Sequence, residues 1–261
     1  QPKNVSGKTG EKVKVTVSAT GDGLTYKWYY KNRGASKFLY TSTFDNKPAY
    51  TVTMDDTRDG RQIYCVITDK YGVEIKTNTV TIGLPAVITK QPSNASAAIG
   101  STIKTTVSVS GHGLTYQWYV KNYGDSEFVK SSITKKTYSY TMTESKAGRE
   151  VYCVITDMFG NKVQTKTVTL KSNIKIISQP TNVSAAVGKK VSTSVTATGT
   201  DLKYQWYVRN YSQKGFYPSS ITDATYEYVM TAEKSGRQAY CVITDRFGNS
   251  VTTDTVTFTK K

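Results

Sequence analysis

The chain has 261 residues, of which 37% are hydrophobic and 21% charged, a composition typical of a globular polypeptide that can form packed cores. Its 35 basic and 19 acidic residues give a net charge of +16, and three cysteines with one histidine exclude a multi-disulfide scaffold and a histidine-based metal site. No apolar run is long enough for a transmembrane helix, and the N-terminal QPKNVSGKTG lacks the apolar core of a signal peptide. We therefore expect any targeting segment to lie outside this chain.

One sequence unit of about 88 residues occurs three times. Each copy opens with Gln-Pro, at Gln1, Gln91 and Gln179, and later contains a tryptophan and the segment YCVITD. The tryptophans are Trp28, Trp118 and Trp206, and the cysteines are Cys65, Cys153 and Cys241. Since a unit of this length is the size of a small domain, we predict three domains, at 1–84, 85–172 and 173–261.

Within each unit the pattern is that of short β-strands. In the first copy VKVTVSA alternates apolar and polar residues, and TYKWYY, YTVTM, YCVIT and TNTVTI are rich in β-branched and aromatic residues. Glycine-containing turns such as GDG at 21–23 separate these segments. About seven short strands per unit without helical periodicity predict an all-β protein, with three tandem antiparallel β-sandwich domains.

The connections between units, LPAVITKQP and KSNIKIISQP, carry apolar β-branched residues and lack the Gly/Ser content of a flexible tether. We therefore expect stiff, partly packed junctions and an elongated array. With strands of roughly 26 Å, three domains end to end should approach about 100 Å.

Three motifs recur with substitutions between the copies: QPxNVSxxxG near the start, GLTYQWY around the tryptophan, and YCVITDxFGN before a Thr-rich strand ending in TVT. By these motifs the chain resembles the bacterial immunoglobulin-like (Ig-like) repeat domains of cell-surface and secreted proteins, three times over its whole length. The resemblance implies Ig-like β-sandwiches and an extracellular location, either secreted or at the cell surface.

Strand alternation assigns the side chains that point into each sandwich. An Ig-type cysteine would pair with a residue four positions before Gly21, Gly111 and Gly199, but valines stand there, so the usual disulfide cannot form. We expect these valines to join the tryptophans and cysteines in the core. The predicted core residues are Trp28, Trp118, Trp206, Cys65, Cys153, Cys241, Val17, Val107 and Val195.

Alternation also places two tyrosines of each unit side by side on the outer face of one sheet. The predicted pairs are Tyr29 with Tyr64, Tyr119 with Tyr152, and Tyr207 with Tyr240. Two roles remain open for them: cross-strand stabilisation of the sheet, or a binding face for sugar rings or a protein partner. The sequences that diverge most between copies follow the tryptophan strand. If the copies bind different ligands, we expect the binding site in that region.

The chemically reactive residues indicate no catalytic site. The cysteines lack a neighbouring histidine base, so we interpret them as small buried apolar residues. We expect His112, in a Gly-His-Gly turn, to be solvated, and Asp69, Asp157 and Asp245 to shape hairpin turns. The acidic group at 55–59 raises only a weak calcium hypothesis. We predict no catalytic residue, no metal site and no cofactor.

The positive charge is distributed evenly. Residues 1–85 hold 13 basic and 8 acidic side chains, residues 86–173 hold 11 and 5, and residues 174–261 hold 11 and 6. A nucleic-acid-binding protein usually concentrates its charge on one face, so we expect no nucleic-acid partner. The even charge is consistent with a soluble cationic surface, and also with attraction to anionic polymers.

These observations predict a non-catalytic, surface-displayed stalk and adhesion segment of a bacterial exported protein, which spaces flanking domains. Its expected partners are a glycan, a cell-wall polymer or a host surface protein, and we expect a monomer that does not insert into a membrane. The alternative is an array of carbohydrate-binding modules from an exported glycoside hydrolase.

Overall fold

The structure is a computed structural model that describes all 261 residues. It is an all-β protein, in which the only helices are three short 3₁₀ turns at Ser42–Phe44, Glu144–Lys146 and Ala232–Lys234. None of these is long and apolar enough to cross a membrane.

The strands fall into three groups along the chain. The first group is β1 (Val5–Ser6), β2 (Lys12–Thr16), β3 (Thr25–Lys31), β4 (Leu39–Thr41), β5 (Ala49–Thr53), β6 (Arg61–Thr68), β7 (Glu74–Lys76) and β8 (Val80–Gly83). The second is β9 (Val87–Lys90), β10 (Ala95–Ala98), β11 (Thr102–Thr106), β12 (Ser108–Ser110), β13 (Thr115–Lys121), β14 (Val129–Lys130), β15 (Thr137–Thr141), β16 (Arg149–Thr156), β17 (Lys162–Gln164) and β18 (Val168–Asn173). The third is β19 (Lys175–Ser178), β20 (Val183–Ala185), β21 (Lys190–Ser194), β22 (Thr196–Thr198), β23 (Lys203–Arg209), β24 (Tyr217–Pro218), β25 (Thr225–Val229), β26 (Arg237–Thr244), β27 (Ser250–Thr252) and β28 (Val256–Lys260).

Each group folds into two facing layers with the same strand order. The larger sheet of the first group has the order β1-β8-β6-β3-β4, with β7 also paired to β6, and the smaller layer is β2-β5. The second and third groups repeat this order as β10-β18-β16-β13-β14 over β11-β15, and β20-β28-β26-β23-β24 over β21-β25. The chain is therefore three tandem Ig-like β-sandwiches, as its sequence pattern predicts.

The first strand of each large sheet departs from a purely antiparallel arrangement. Val5 is in register with Ile82 in a parallel β1–β8 pair, and β10–β18 and β20–β28 pair in the same sense. The QPxN motif holds this pair together, because the Gln1 side-chain oxygen accepts the Asn78 N–H and the Asn4 oxygen accepts the Thr81 N–H, both at 2.8 Å. The other two copies of the motif make the corresponding bonds.

A fully buried tryptophan lies at the centre of each sandwich. Trp28 is in register with Cys65 on the neighbouring strand, and its Nε1–H donates to the Lys47 carbonyl at 2.9 Å, which satisfies the indole in the apolar interior. The other two tryptophans bond in the same way to the carbonyls of Lys135 and Asp223. Each buried large apolar side chain contributes about 1.5–3 kcal/mol.

The other predicted core residues lie close to these tryptophans. The three cysteines are fully buried and unbridged, and the valines at the usual disulfide-partner position are at most 4% exposed. The Cys65 N–H donates to the buried Thr77 hydroxyl at 3.0 Å, so this buried backbone amide has a hydrogen-bond partner. Burial of tryptophan, valine and thiol thus fills the space where an Ig disulfide would stand.

Three separate hydrophobic cores run along the chain, spanning residues 13–82, 103–170 and 191–258. Strand β18 continues to Asn173, one residue past the boundary predicted at 172/173. The exact division into 1–84, 85–172 and 173–261 stays a prediction.

Candidate binding surfaces and domain interfaces

The outward tyrosines form stacked pairs on the large sheet of each sandwich; these six residues are called the tyrosine face. Tyr29 and Tyr64 lie directly opposite each other in the β3–β6 register, with ring centroids 4.9 Å apart and planes 9° apart. The other two pairs stack at 5.0 Å and 5.3 Å; they are Tyr119 with Tyr152 and Tyr207 with Tyr240. Every member of the tyrosine face is half-buried, so each pair is partly accessible to solvent.

A phenylalanine from the following loop covers one end of each pair. Phe38 meets Tyr64 edge-on with centroids 4.9 Å apart, and Phe128 and Phe216 make the same contact with Tyr152 and Tyr240. A cation lies over each of these phenylalanines; the cations are Lys31, Lys121 and Arg209. The result is a continuous cation–aromatic cluster on every sandwich, with about 0.5–1.5 kcal/mol from each aromatic contact.

The tyrosine rings engage mainly one another. Partial burial, with the neighbouring Tyr29 hydroxyl adding to it, raises the pKa of the Tyr64 phenol, so this hydroxyl stays protonated at neutral pH. In the first sandwich Lys76 Nζ also lies 4.0 Å over the Tyr64 ring. One face of each tyrosine ring is therefore covered by the other ring of its pair, which favours a stabilising role in the sheet.

The edge beside the tyrosine face is more exposed and differs between copies. Strands β4, β14 and β24 end their sheets. They carry exposed apolar residues at Leu39 and Tyr40, at Val129, and at Tyr217, which is followed by Pro218. Apolar side chains on a variable sheet edge make this the second candidate binding surface, as the sequence divergence predicts.

The thiols are not arranged for nucleophilic chemistry. Burial raises the pKa of Cys65 to about 11, of Cys153 to about 12 and of Cys241 to about 11. A thiol with such a pKa is protonated at neutral pH, whereas catalysis needs a thiolate. The three cysteines act as packing residues.

The three repeated aspartates shape the hairpin before the last strand. One carboxylate oxygen of Asp69 accepts the N–H groups of Tyr71 and Val73, both at 2.9 Å. Asp157 and Asp245 bind the equivalent amides of their own turns. These bonds satisfy turn amides that no strand partner reaches.

The acidic group at 55–59 is engaged by cations and amides of the protein itself. Asp55 accepts from Thr57 and pairs with Arg58, while Asp59 accepts the Leu84 N–H and pairs with Arg33. The structure contains no group of three or more His, Cys, Asp or Glu side chains placed to hold a metal ion.

The contacts between the first and second sandwiches, called the first interface, are mainly polar. His112 Nε2 lies 2.8 Å from Asp59 Oδ1 and its side chain is only 19% exposed, so the expectation of a solvated histidine is wrong. Asn161 donates to Ser6 of the first sandwich at 2.8 Å, and next to this contact the linker amide of Ala86 donates to Asp157 of its own sandwich at 2.9 Å. The histidine is half-buried because the turn that carries it rests on the preceding sandwich.

The contacts between the second and third sandwiches, called the second interface, are mainly aromatic. Phe247 meets Tyr123 edge-on with centroids 6.3 Å apart and lies under Lys171 Nζ at 5.3 Å. The Arg246 guanidinium lies 4.7 Å over the Tyr123 ring. The buried hydroxyls of Ser172 and Thr200 are 2.6 Å apart.

The tip residue of the last hairpin differs in setting between copies. Phe159 and Phe247 reach the preceding sandwich, where a Cβ added to Gly83 would lie 2.9 Å from Phe159 and one added to Gly148 would lie 3.0 Å from Phe247. Tyr71, the first tip, is 76% exposed. The two phenylalanines thus cover the neighbouring domain.

The chain matches no known protein family and no curated protein. Its structure is similar to "Drosophila OTK, extracellular domains 3-5", at 13% identity and a TM-score of 0.41 over 99% of this chain and 94% of that one. It is also similar to the "I-band fragment I67-I69 from titin", at 14% identity and a TM-score of 0.40 over 100% and 96% of the two chains. A third similar structure is "Crystal structure of Dscam1 isoform 7.44, N-terminal four Ig domains", at 11% identity and a TM-score of 0.43 over 100% of this chain and 72% of that one.

Sequence reasoning missed the interface residues Asp59, His112, Arg33 and Tyr123. A signal for two of them was present, because Asp59 and His112 replace Ala147 and Thr200 of other copies at aligned positions. No local pattern predicts that these two residues contact each other across a domain boundary.

Proposed function

We propose that this chain is a non-catalytic stalk and adhesion segment of a bacterial exported protein. It spaces flanking domains and binds a host or cell-wall component. The observation that carries the proposal is the pair of specific interfaces, in which named side chains of consecutive sandwiches contact each other. Such contacts hold neighbouring domains in one orientation, whereas a flexible tether does not.

The proposal includes a location and an assembly state. The chain is secreted or displayed at the cell surface, with its targeting segments elsewhere in the polypeptide, and it acts as a monomer of three domains at 1–84, 85–172 and 173–261. Protonated thiols and turn-bound aspartates support a role without catalysis.

Small-angle X-ray scattering of the whole chain tests the spacing role. A stiff stalk gives a narrow distribution of interatomic distances, with a maximum dimension of about 100 Å. The double variant Phe159→Ser with Phe247→Ser should broaden that distribution, because it removes both aromatic tips from the interfaces. Tyr71→Ser, at the same hairpin position but with a ring that is 76% exposed, is the matched control. A wild-type distribution as broad as that of the double variant contradicts the proposal.

Binding assays test the adhesion role. The sandwiches carry an even positive charge, so binding to an anionic wall polymer should weaken as salt rises. Val129→Asp on the variable edge and the pair Tyr119→Ala with Tyr152→Ala on the tyrosine face locate the binding surface. A double alanine variant that melts earlier but binds normally assigns the tyrosines to sheet stability.

The runner-up function is an array of carbohydrate-binding modules from an exported glycoside hydrolase. The repeated tyrosine pairs favour it, since partly accessible aromatic rings supply contact area for a ligand at low entropy cost. A glycan array distinguishes the two functions. A reproducible sugar ligand that depends on Tyr119 and Tyr152 supports the modules, and a blank array supports the stalk.

A further inference from the structure

The outer face of the large sheet carries a wider aromatic surface in the first sandwich than in the other two. Tyr40 on β4 is in register with Tyr29, and Tyr29 with Tyr64 on β6, so these residues form one row across three strands, called the tyrosine row. Their ring centroids are 5.7 Å and 4.9 Å apart, and Tyr40 is 47% exposed. In the other sandwiches the place of Tyr40 is held by Lys130 and Pro218. The row spans about 10 Å, because neighbouring strands lie roughly 4.8 Å apart.

Lysines flank the tyrosine row on the same face of the sheet. On β3, Lys27 precedes the row and Lys31 follows it. Lys76 on β7 is level with Lys27, and Val66 of β6 lies between them. None of the three lysines is among the ion pairs of the first sandwich. An anion that lies over Val66 is therefore within reach of two free ammonium groups.

The corresponding positions of the other sandwiches are neutral or already engaged. On β13 of the second sandwich Gln117 replaces the first flanking lysine and donates to a backbone carbonyl at 2.8 Å, and Gln164 replaces the lysine of β7. The remaining lysine, Lys121, is paired with Glu150 at 2.9 Å. Only the first sandwich thus combines free lysines with three tyrosines in a row. The third sandwich has Gln205, Thr252 and Arg209 at these positions, and the arginine bonds to Gln238.

Two carboxylates limit where an anionic group can lie on this face. Asp45 accepts the tyrosine hydroxyl at the β4 end of the row. Glu74 lies on β7, beyond the lysines and opposite Thr68. Because like charges repel, an anionic group is directed away from both ends and towards the space between Lys27 and Lys76.

The tyrosine row offers free hydroxyls and little open ring face. The hydroxyls of Tyr29 and Tyr64 are not buried and have no partner within the protein, so they can donate to and accept from the hydroxyls of a sugar. Tyr29 has a tyrosine on each side, and Tyr64 is contacted by Tyr29 and by the Lys76 Nζ, which lies 4.0 Å from its ring centre. A base of a single-stranded nucleic acid stacks on an open ring face. The row therefore fits a saccharide better than a nucleic acid.

We propose that the tyrosine row and its flanking lysines bind an acidic oligosaccharide, a chain of sugar rings that carry carboxylates. The rings lie along the tyrosines, which supply contact area at low entropy cost. One carboxylate lies between Lys27 and Lys76, since a carboxylate attached to a sugar ring stays beside the surface that the ring contacts. Lys31 attracts a further anionic group on the other side of the row.

This inference rests on the adhesion part of the proposed function and names a ligand class for one surface. It differs from the array of carbohydrate-binding modules, because the site occurs once per chain and depends on lysines that the second and third sandwiches lack. A host glycan and a cell-wall polymer can share this chemistry, so the test includes a probe for each source.

Isothermal titration calorimetry on the whole chain tests the site with two uronic-acid probes. The probes are a hyaluronan hexasaccharide for an animal matrix and a teichuronic acid fragment for a cell wall. We expect one site per chain for at least one of them, and no binding of a neutral chitin hexasaccharide, which has no carboxylates. The affinity should fall as salt rises, because Lys27 and Lys76 are exposed to solvent.

Two double variants make the test specific. Lys27→Gln with Lys76→Gln gives the first sandwich the residues of the second at these positions and should weaken binding about tenfold or more. Lys12→Gln with Lys14→Gln removes the same charge from exposed positions of β2 in the small layer and should leave binding unchanged.

Four results would overturn the inference. They are absence of binding to both uronic-acid probes, equal binding of the neutral hexasaccharide, equal affinity of the two double variants, and tighter binding of a single-stranded oligothymidine, which would assign the row to a nucleic acid. The stalk and adhesion function is decided by other measurements, namely the width of the scattering distribution and the effect of Val129→Asp. A failure of this site can therefore be told apart from a failure of that function.

Discussion

The two interfaces use the same structural elements, including a phenylalanine at the hairpin tip, but differ in the side chains around it. Both join the end of one sandwich to the Gly-flanked turn and the hairpin tip of the next. The first relies on the carboxylate of Asp59 facing His112, and the second on Phe247 and Arg246 against Tyr123. The repeated fold therefore sets where neighbouring domains meet, and a few loop residues set how the contact responds to salt, acid and substitution.

The largest effect is expected where an added methyl group meets an aromatic ring. Gly148 has a φ of +80° and a Cβ there would lie 3.0 Å from Phe247, whereas Gly100 has a φ of +84° and open space around it. Gly100→Ala should cost about 1–2 kcal/mol from the left-handed backbone alone. Gly148→Ala should cost more, because it also displaces Phe247. Denaturant unfolding of both variants measures the difference, and equal losses would show that the second interface adds nothing.

Removal of the aromatic tip should have the next largest effect. Phe247→Ala takes a half-buried ring from the second interface and should cost about 1–1.5 kcal/mol, roughly half the value for a fully buried ring. Tyr71→Ala removes a ring that is 76% exposed and should leave the melting temperature nearly unchanged. If the two variants melt alike, the contrast between interface and free hairpin tip is wrong.

Neutralising Asp59 should separate the two interfaces by their salt response. Asp59→Asn keeps the shape of the side chain but removes the charge that faces His112 and Arg33, at an expected cost of about 0.5–1 kcal/mol at low salt. In about 1 M salt, where charges are screened within roughly 3 Å, the variant and the wild type should converge. Thermal melts across a salt series check this. A loss that is independent of salt would assign Asp59 a purely steric role.

Acid should weaken the attachment of the first linker to the second sandwich through Asp157. Burial alone raises the pKa of this carboxyl, but hydrogen bonds from Asn161 and from the amides of Ala86 and Phe159 outweigh burial and hold the pKa below its usual range. A lowered folded-state pKa means that the stabilisation is complete above the unfolded value of about 3.9 and is lost as the pH falls through the folded value.

This acid effect is expected to be the smallest of the four. Asp157→Asn cannot ionise, so the melting temperatures of variant and wild type should approach each other as the pH falls below about 4. A gap between the two that stays constant from neutral to acid pH would contradict the assignment.

Much of the fold could be predicted from the sequence because strand alternation is a local signal. The burial of Trp28 beside Cys65 and the outward stacking of Tyr29 on Tyr64 both follow from residue parity along two strands. The parallel pairing of Val5 with Ile82 does not, since alternation carries no direction.

The interfaces depend on contacts between distant parts of the chain. His112 meets Asp59 across 53 positions, and no pattern within either turn encodes the other.

The parallel pairing at the edge of each large sheet has a mechanical consequence. Because the paired strands run in the same direction, the chain enters each sandwich at one end of the pair and leaves at the other, so tension on the array loads the interstrand hydrogen bonds in shear. The pair is formed by two residues of β1, four of β10 and three of β20. Under a stretching force the first sandwich should therefore yield before the second.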